Sequence, residues 1–357
     1  MTSSERVALV FGALGISGWA ATRELLRYPT PTTFFRVIAL SKRSLDPAVI
    51  QLSDARLTFA HGVPDVGRVT DVFWYAYIHK PNDGDLVASN VRILETTLPF
   101  IWQTGAKYYG VEYMTSHRTH PNLIPPTPFE ESQPRRPEPL YSKIFYYKQL
   151  DNELRQGPII GYAPTTNAMN FALALGVYLA LYRAVHGIGA TVPLPASLAG
   201  ARALNSESPA DDIACASIFL ALKSDPKLKG KGFNAVDSPS TYEARWTALT
   251  KIWGLVGSPP DLGAEVEDDP VAPTTRAIEW AQSQVEKWRE LEEEHGLRKG
   301  VLETVGFDFL YVLSMPGDRR MSTKALKEAG WKEEPDTIKT YEDAWRFFAK
   351  AGFLPPL

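Results

Sequence analysis

The sequence predicts an α/β fold, a Rossmann-type doubly wound parallel sheet followed by a smaller, mainly helical region. Three observations predict it. Short apolar runs alternate with helical patterns over the first 160 residues, the rhythm of a parallel sheet with crossover helices. A glycine-rich turn, Gly12-Ala13-Leu14-Gly15-Ile16-Ser17-Gly18, directly follows the first of these runs. The second half of the chain carries mostly helical patterns.

Val7–Phe11 (VALVF) is continuously apolar, as in a strand buried on both faces. Residues 19–28 follow as a helix, ended by Pro29 and Pro31. Residues 36–40, 56–60 and 72–77 read as the second, third and fourth strands. Residues 83–97 read as a helix and 100–104 as the fifth strand. The proline-rich stretch 121–139 reads as an ordered surface loop, and 141–155 as a helix bearing several tyrosines. Residues 171–185 are apolar, yet Arg183 interrupts them and they fall short of the roughly 20 residues a bilayer needs, so they predict a buried helix. Residues 210–223 predict a helix, 233–236 a short strand, and 242–256 a helix with Ser240 and Thr241 as N-cap candidates. An acidic, proline-rich connection over 259–273 leads to one charged amphipathic helix over 275–295, stopped by Gly296. The expected division is 1–160 for the sheet-forming core and 161–357 for the helical region, with some later segments returning to the core.

Composition excludes several classes. Lys+Arg total 38 against 41 Asp+Glu, a net charge of -3, so no basic excess draws the chain to a phosphate backbone and no nucleic-acid partner is expected. The single cysteine, Cys215, forbids an internal disulfide and a cysteine-based zinc site and suits a reducing compartment. The N-terminus lacks the pattern of a secretory signal. The expectation is a cytoplasmic protein without a membrane partner. Glu112, His117 and His120 have no metal-ligand spacing, and Ser116-His117 lacks a G-x-S-x-G elbow, so neither a metal nor a serine nucleophile is expected.

The chemistry of a dinucleotide explains the glycines. Gly12 permits the tight turn, Gly15 lets a pyrophosphate approach the backbone, and Gly18 lets helix and strand pack closely. With Leu14 and Ile16 between them, they bring the helix N-terminus and its unpaired N–H groups to the anion. The alternative is a plain strand-to-helix turn that binds nothing. The second strand ends in Leu40-Ser41-Lys42-Arg43. A 2′-phosphate needs cations there, whereas NAD calls for an acidic residue, so Ser41, Lys42 and Arg43 favour NADPH. The alternative is a solvated basic turn.

The Tyr-x-x-x-Lys pair of ordinary short-chain dehydrogenases is absent: Tyr141, Tyr146 and Tyr147 are followed at that spacing by Phe145, Leu150 and Asp151. A lysine occurs instead in Gln103-Thr104-Gly105-Ala106-Lys107-Tyr108-Tyr109-Gly110, just after the fifth strand. That segment, with IFYYKQLD and IIGYAPTTNAMN, resembles the progesterone 5β-reductase and iridoid synthase family, atypical extended short-chain reductases. Later similarities include Phe233-Asn234, 287–297 and 321–331. The resemblance implies NADPH-dependent reduction of the activated C=C bond of an enone or enal, on a small apolar carbonyl substrate. It places Thr104 and Tyr147 beside the cofactor and gives Lys107 and Tyr147 the catalytic positions. The Tyr147 hydroxyl would stabilise the developing enolate, with Lys107 supporting it electrostatically and holding the ribose. Asp151 matches the family's final acid, while Leu150 stands for a glutamate and Tyr108 for a histidine. On residue pattern alone, Tyr146 and Tyr147 read as packing aromatics. A dimer is compatible with the sequence. The rival functions are a non-redox isomerase or cyclase on this scaffold and a homologue that only binds cofactor.

Against the family, 61–70, 94–102 and 154–158 are short. Roughly 15 residues lack a counterpart after Tyr147, and a crossover needs about a dozen residues, so the strand that follows the tyrosines in the family is expected to be missing.

Overall fold

Among the described residues, seven short runs form a single parallel sheet. The structure, a computed structural model, describes residues 6–44, 46–61, 68–77, 85, 101–111, 124–148, 153–223, 225–262 and 271–357. The strands are β1 (Val7–Phe11), β2 (Arg36–Ser41), β3 (Leu57–His61), β4 (Asp71–Trp74), β5 (Ile101–Gly105), β6 (Glu153–Gln156) and β7 (Gly232–Asn234). Their order is β7-β6-β5-β4-β1-β2-β3, with every neighbouring pair parallel. The order reverses between β1 and β4, the switch point at which doubly wound sheets bind ligands. Registers Phe11↔Leu40, Phe11↔Trp74, Thr104↔Arg155 and Asn234↔Arg155 align the carboxyl ends along one edge. The expected fold class is the observed one.

The sheet belongs to a compact unit made of residues 1–158, 210–236 and 321–333. Ala8 and Val10 on β1 are fully buried, and Val7 and Leu9 cluster with Ile38 of β2. The helices α1 (Ile16–Glu24) and α2 (Ala210–Leu222) pack on each other. Arg23 of α1 pairs with Asp211 of α2, Arg27 pairs with Glu24 three residues before it, and the Cys215 thiol donates to Glu24 Oε2 at 3.6 Å. Burial, with repulsion from Asp211 and Glu24, pushes the Asp212 carboxyl up to about 7. A carboxyl raised in the folded state stabilises fully below its unfolded value near 4 and loses that contribution as pH rises towards 7. Asp212→Asn is therefore expected to raise Tm by about 2–4 °C at pH ~8 and to leave it unchanged near pH ~4, as followed by circular dichroism.

The second unit comprises residues 159–209, 237–320 and 334–357. Its central helix, Phe171–His186, is buried from Phe171 through Leu181. Gly176 lets the helix Thr337–Lys350 approach: a Cβ there would lie 2.8 Å from the Trp345 ring, whose Nε1 donates to Ala172 O at 2.7 Å. Inside this unit Arg245 is buried between Glu207, which it pairs with, and Asp237 at 3.0 Å. Tyr341 donates to Glu207 at 3.0 Å, and Thr337 to Asp237. No helix among the described residues is long and apolar enough to cross a membrane.

Three element readings need correction. Residues 141–155 do not form one helix: Leu140–Lys143 is a single α-turn, Phe145–Lys148 a 3₁₀ turn, and Glu153–Gln156 is β6. The strand expected to be missing is therefore present between β5 and β7, with Leu154 fully buried; pairing on both sides overrides local propensity. The helix expected over 275–295 is two, Ala272–Ser283 and Val285–His295, with Gln284 at ψ 34 between them. The helix expected over 242–256 ends at Ile252, because Val256–Ser258 pairs with Thr191–Pro193. The helix expected over 83–97 lies outside the described residues, apart from residue 85.

Candidate functional site

The glycine turn is shaped by backbone contacts that a side chain would break. Gly12 has φ 74°, and a Cβ on it would lie 2.8 Å from the Tyr75 and Ala76 backbone beyond β4. A Cβ on Gly18 would stand 2.2 Å from Gly12 O. A Cβ on exposed Gly15 would meet only Gly12 O, at 3.3 Å, so its outer side is open. Gly15 N donates to Gly12 O at 2.9 Å and Ala13 N to Leu40 O at 3.2 Å, which ties the turn to β2. Gly15 caps α1 without any side-chain hydrogen bond, leaving the helix N-terminus to an anion. The Leu14 and Ile16 side chains are buried, so these two residues offer backbone, not side chain, to a ligand. At the end of β2, Ser41 is half-buried and its hydroxyl donates to Arg43 O at 2.5 Å, while Lys42 and Arg43 are exposed.

The lysine segment follows β5 on the same edge. Gly105 caps a 3₁₀ turn, Ala106–Tyr109, that carries Lys107 and closes on Gly110 at φ 81°. Thr104 is 1% exposed, and its Oγ1 has no hydrogen-bond partner among the described residues. A Cβ on Gly105 would lie 3.5 Å from the Tyr146 hydroxyl oxygen and 3.9 Å from Lys107 N.

Tyr147 is buried against the same turn. It is 3% exposed and packs edge-on against Tyr108, ring centroids 5.0 Å apart. Its hydroxyl donates to Tyr108 O at 2.6 Å and accepts from Arg136 N at 3.0 Å. Burial pushes its phenol up from the ordinary value, against the backbone N–H of Arg136. The structure thus brings Gly12, Gly15, Gly18, Ser41, Lys42, Arg43, Thr104 and Lys107 to one sheet edge, and the hydroxyl nearest Gly105 is that of Tyr146.

Sequence reasoning missed the buried polar group beside this edge. The Arg155 guanidinium on β6 lies 3.6 Å from the Tyr108 ring centroid and donates to the Tyr109 hydroxyl at 3.1 Å. Tyr109 donates to Asn234 Oδ1 at 2.8 Å, and Asn234 Nδ2 reaches Phe129 O and Ser322 O, each at 2.9 Å. Burial pushes the Tyr109 phenol up to about 12, and it raises the Glu131 carboxyl, which accepts from Asn234 N at 2.7 Å. The signal was Arg155 itself, which a helical reading places in solvent. Glu112, Ser116, His117, His120, Leu150 and Asp151 lie outside the described residues. Among the described residues, no group of His, Cys, Asp and Glu side chains could hold a metal.

A family model described as a PRISE-like Rossmann-fold domain matches residues 8–355. The chain is similar to the short chain dehydrogenase sirQ of Leptosphaeria maculans, 29% identical over 395 residues, covering 98% of this chain and 97% of the relative. That alignment is longer than the 357 residues here, so the relative has segments this chain lacks. Among solved structures it resembles the terminal R domain of the myxalamid biosynthetic pathway, with TM-score 0.58, 14% identity, and coverage of 99% of this chain and 93% of that one. It also resembles the UDP-glucuronic acid 4-epimerase from Bacillus cereus in complex with NAD, with TM-score 0.56, 11% identity, and coverage of 96% and 97%.

Proposed function

The chain belongs to the PRISE-like Rossmann-fold family, and from that premise we propose that it is an NADPH-dependent reductase of an activated C=C bond, acting on a small apolar enone or enal. The observation that carries this reading is the placement of the glycine turn, the β2 cations and the lysine turn along one edge of one parallel sheet. The short chain dehydrogenase name of the Leptosphaeria relative supports the oxidoreductase class, and the NAD held by the Bacillus epimerase supports a nicotinamide cofactor on this fold.

The residues fit the cofactor. The open outer side of Gly15 and the uncapped α1 N-terminus suit a pyrophosphate. Lys42 and Arg43, with no acidic residue among 40–44, suit a 2′-phosphate. The orphaned Thr104 hydroxyl at the carboxyl end of β5 would offer a hydrogen bond to the nicotinamide end of the cofactor. Lys107, on the turn that follows, would hold the ribose hydroxyls. When bound, NADPH would supply the hydride, and the conjugated C=C–C=O that takes it at the β-carbon would become an enolate. A hydroxyl of the Tyr146–Tyr147 pair donates a hydrogen bond to the enolate oxygen as charge develops there. Water protonates the α-carbon and the carbonyl re-forms.

The test is titration with NADPH and NADH, followed by quenching of tryptophan fluorescence, then consumption of NADPH with cyclohexenone and cinnamaldehyde. Saturable binding that favours NADPH, together with enone-dependent oxidation, is expected. Equal affinity for the two cofactors, or none, overturns the reading. The double variant Lys42→Glu/Arg43→Glu is expected to weaken NADPH about 10–100-fold, the size of one or two lost charge-assisted hydrogen bonds, while NADH affinity stays within a few-fold.

A further inference from the structure

We propose that Arg155 is the positioning residue of the lysine turn: its buried guanidinium, stacked on Tyr108 and bonded to Tyr109, fixes the Ala106–Tyr109 turn and with it the pose of Lys107. The functional half of this inference rests on the reductase reading above. Lys107 is followed at once by the two tyrosines that Arg155 holds. The guanidinium carbon stands over the Tyr108 ring, 3.6 Å from its centroid, and 5.5 Å from that of Tyr109. Nη1 donates to the Tyr109 hydroxyl at 3.1 Å and to Glu131 O at 3.4 Å. One side chain thus grips two consecutive residues of a four-residue turn, by a ring face on one and a hydroxyl on the other.

The turn needs such a hold. A short 3₁₀ segment has few bonds of its own and poor hydrogen-bond geometry. Gly110 N closes it on Lys107 O at 2.9 Å, and the Tyr147 hydroxyl bonds the Tyr108 carbonyl. Arg155 supplies the hold on the two side chains. It does so from a fixed base, since β6 pairs with β5 at Thr104, two residues before the turn, and with β7 at Asn234.

The grip is also relayed. Burial pushes the Tyr109 phenol up to about 12, so it stays protonated. Its oxygen accepts from Arg155 and its proton goes to Asn234 Oδ1 at 2.8 Å. Asn234 in turn reaches Phe129 O and Ser322 O. The far end of the turn is therefore tied to β6, β7 and two distant stretches of the same unit. A cation 5% exposed is costly unless its charge and donors are answered. Here the ring face answers the charge, and the phenol and the carbonyl take donors. A lysine has no planar fork that stacks on one ring while donating to the next residue. Gly232 makes the room: a Cβ there would lie 2.6 Å from Arg155 Nη2.

The experiment is a double-mutant cycle in the full chain, read as NADPH affinity at a temperature well below the Tm of every variant. Lys107→Met and Arg155→Met are each expected to weaken NADPH about 10-fold, the size of one lost charge-assisted hydrogen bond. The double variant is expected to lose about 10-fold too, rather than roughly 100-fold, because Arg155 acts through Lys107. Combined with Lys42→Glu/Arg43→Glu, Arg155→Met is expected to be additive. Gly232→Ala keeps the arginine and its charge but displaces the guanidinium. It is expected to weaken NADPH about 3-fold, and it carries the same cycle should Arg155→Met fail to fold. An arginine with only a structural role lowers Tm and leaves the Lys107 cycle additive, which overturns the proposal. A second readout needs no cofactor. Hydrogen exchange over 106–110 is expected to be about 10-fold faster in Arg155→Met, while exchange over 7–15 is unchanged. Unchanged exchange over 106–110 overturns the proposal. A wild-type chain that binds no NADPH, or binds it and reduces no enone, defeats the reductase reading alone, and the exchange measurement then still decides whether Arg155 holds the turn.

Discussion

Gly18→Ala is expected to abolish measurable NADPH binding and to lower Tm by roughly 10 °C, the largest effect foreseen for a single methyl. The added Cβ would stand 2.2 Å from Gly12 O and 2.7 Å from Gly12 C. Both are backbone atoms, so no side chain can swing away. The relief must come from α1 moving off β1, or from Gly12 leaving φ 74° and its place against Tyr75 and Ala76. Overpacking a tight contact ordinarily costs about 1–3 kcal/mol. Here the contact is also the floor of the proposed phosphate site, so the same displacement removes the ligand's N–H donors. Gly15→Ala is the control. Its methyl would meet Gly12 O at 3.3 Å and otherwise enter open space. It is expected to fold with nearly wild-type Tm, yet to lose NADPH affinity about 10-fold or more, because the methyl stands where a phosphate would approach. Fluorescence titration and thermal circular dichroism on the two variants check both halves. Gly18→Ala with wild-type affinity would refute the phosphate role of the turn.

The second large effect lies far from that turn in sequence. Arg245→Met is expected to cost about 3–5 kcal/mol, because it leaves Glu207 and Asp237 buried without their cation. Burial, outweighing the attraction of Arg245, pushes Glu207 up to about 7 and raises Asp237 as well. Without Arg245 both would rise further. Their carboxyls then bind protons in the folded state that the unfolded chain releases, so the variant loses stability as pH rises. Its Tm deficit is expected to be larger at pH ~8 than at pH ~5. Glu207→Gln/Asp237→Asn/Arg245→Met, which removes every charge of the group, is expected to recover most of the loss, since neutral replacement of a whole buried ion group is often tolerated. Tyr341→Phe removes only one hydrogen bond to Glu207 and is expected to cost about 1 kcal/mol. Thermal melts across pH read all three variants.

How much of this was legible in the sequence depends on how local the cause is. β1, β2 and the glycine turn could be read because each is dictated within a dozen residues: a continuously apolar strand, then glycines at positions where the backbone leaves no room for Cβ. The 141–155 stretch was misread because its tyrosines and apolar residues recur at helical spacing. The strand character of Leu154 and Arg155 comes only from β5 and β7 on either side, pairing that is remote along the chain. The break at Gln284 carries no proline or glycine to announce it. The tyrosine pair is the sharpest case. Its location was evident from the segment that contains it, but which hydroxyl reaches Gly105 is decided by the path of a single 3₁₀ turn and by Tyr108 and Arg136 capturing the other. Arg155 escaped notice because a guanidinium 5% exposed on a sheet strand is an unusual placement, made acceptable by the Tyr108 ring face and the Tyr109 hydroxyl.

The sheet-bearing unit is assembled from three separate stretches of chain, and β7 arrives with the second of them. On the ribosome this imposes an order of events. When residues 153–156 have emerged, β1 to β6 are available, yet β6 presents an open row of amide and carbonyl groups to solvent, an edge that invites pairing with other chains. That edge stays bare until residues 232–234 leave the exit tunnel, and Asn234, which ties Tyr109 to the Phe129 and Ser322 carbonyls, cannot finish its bonds until Ser322 follows. The unit that would hold the cofactor therefore closes only after residues 232–234 and Ser322 have been made, roughly 200 to 300 residues after its glycine turn.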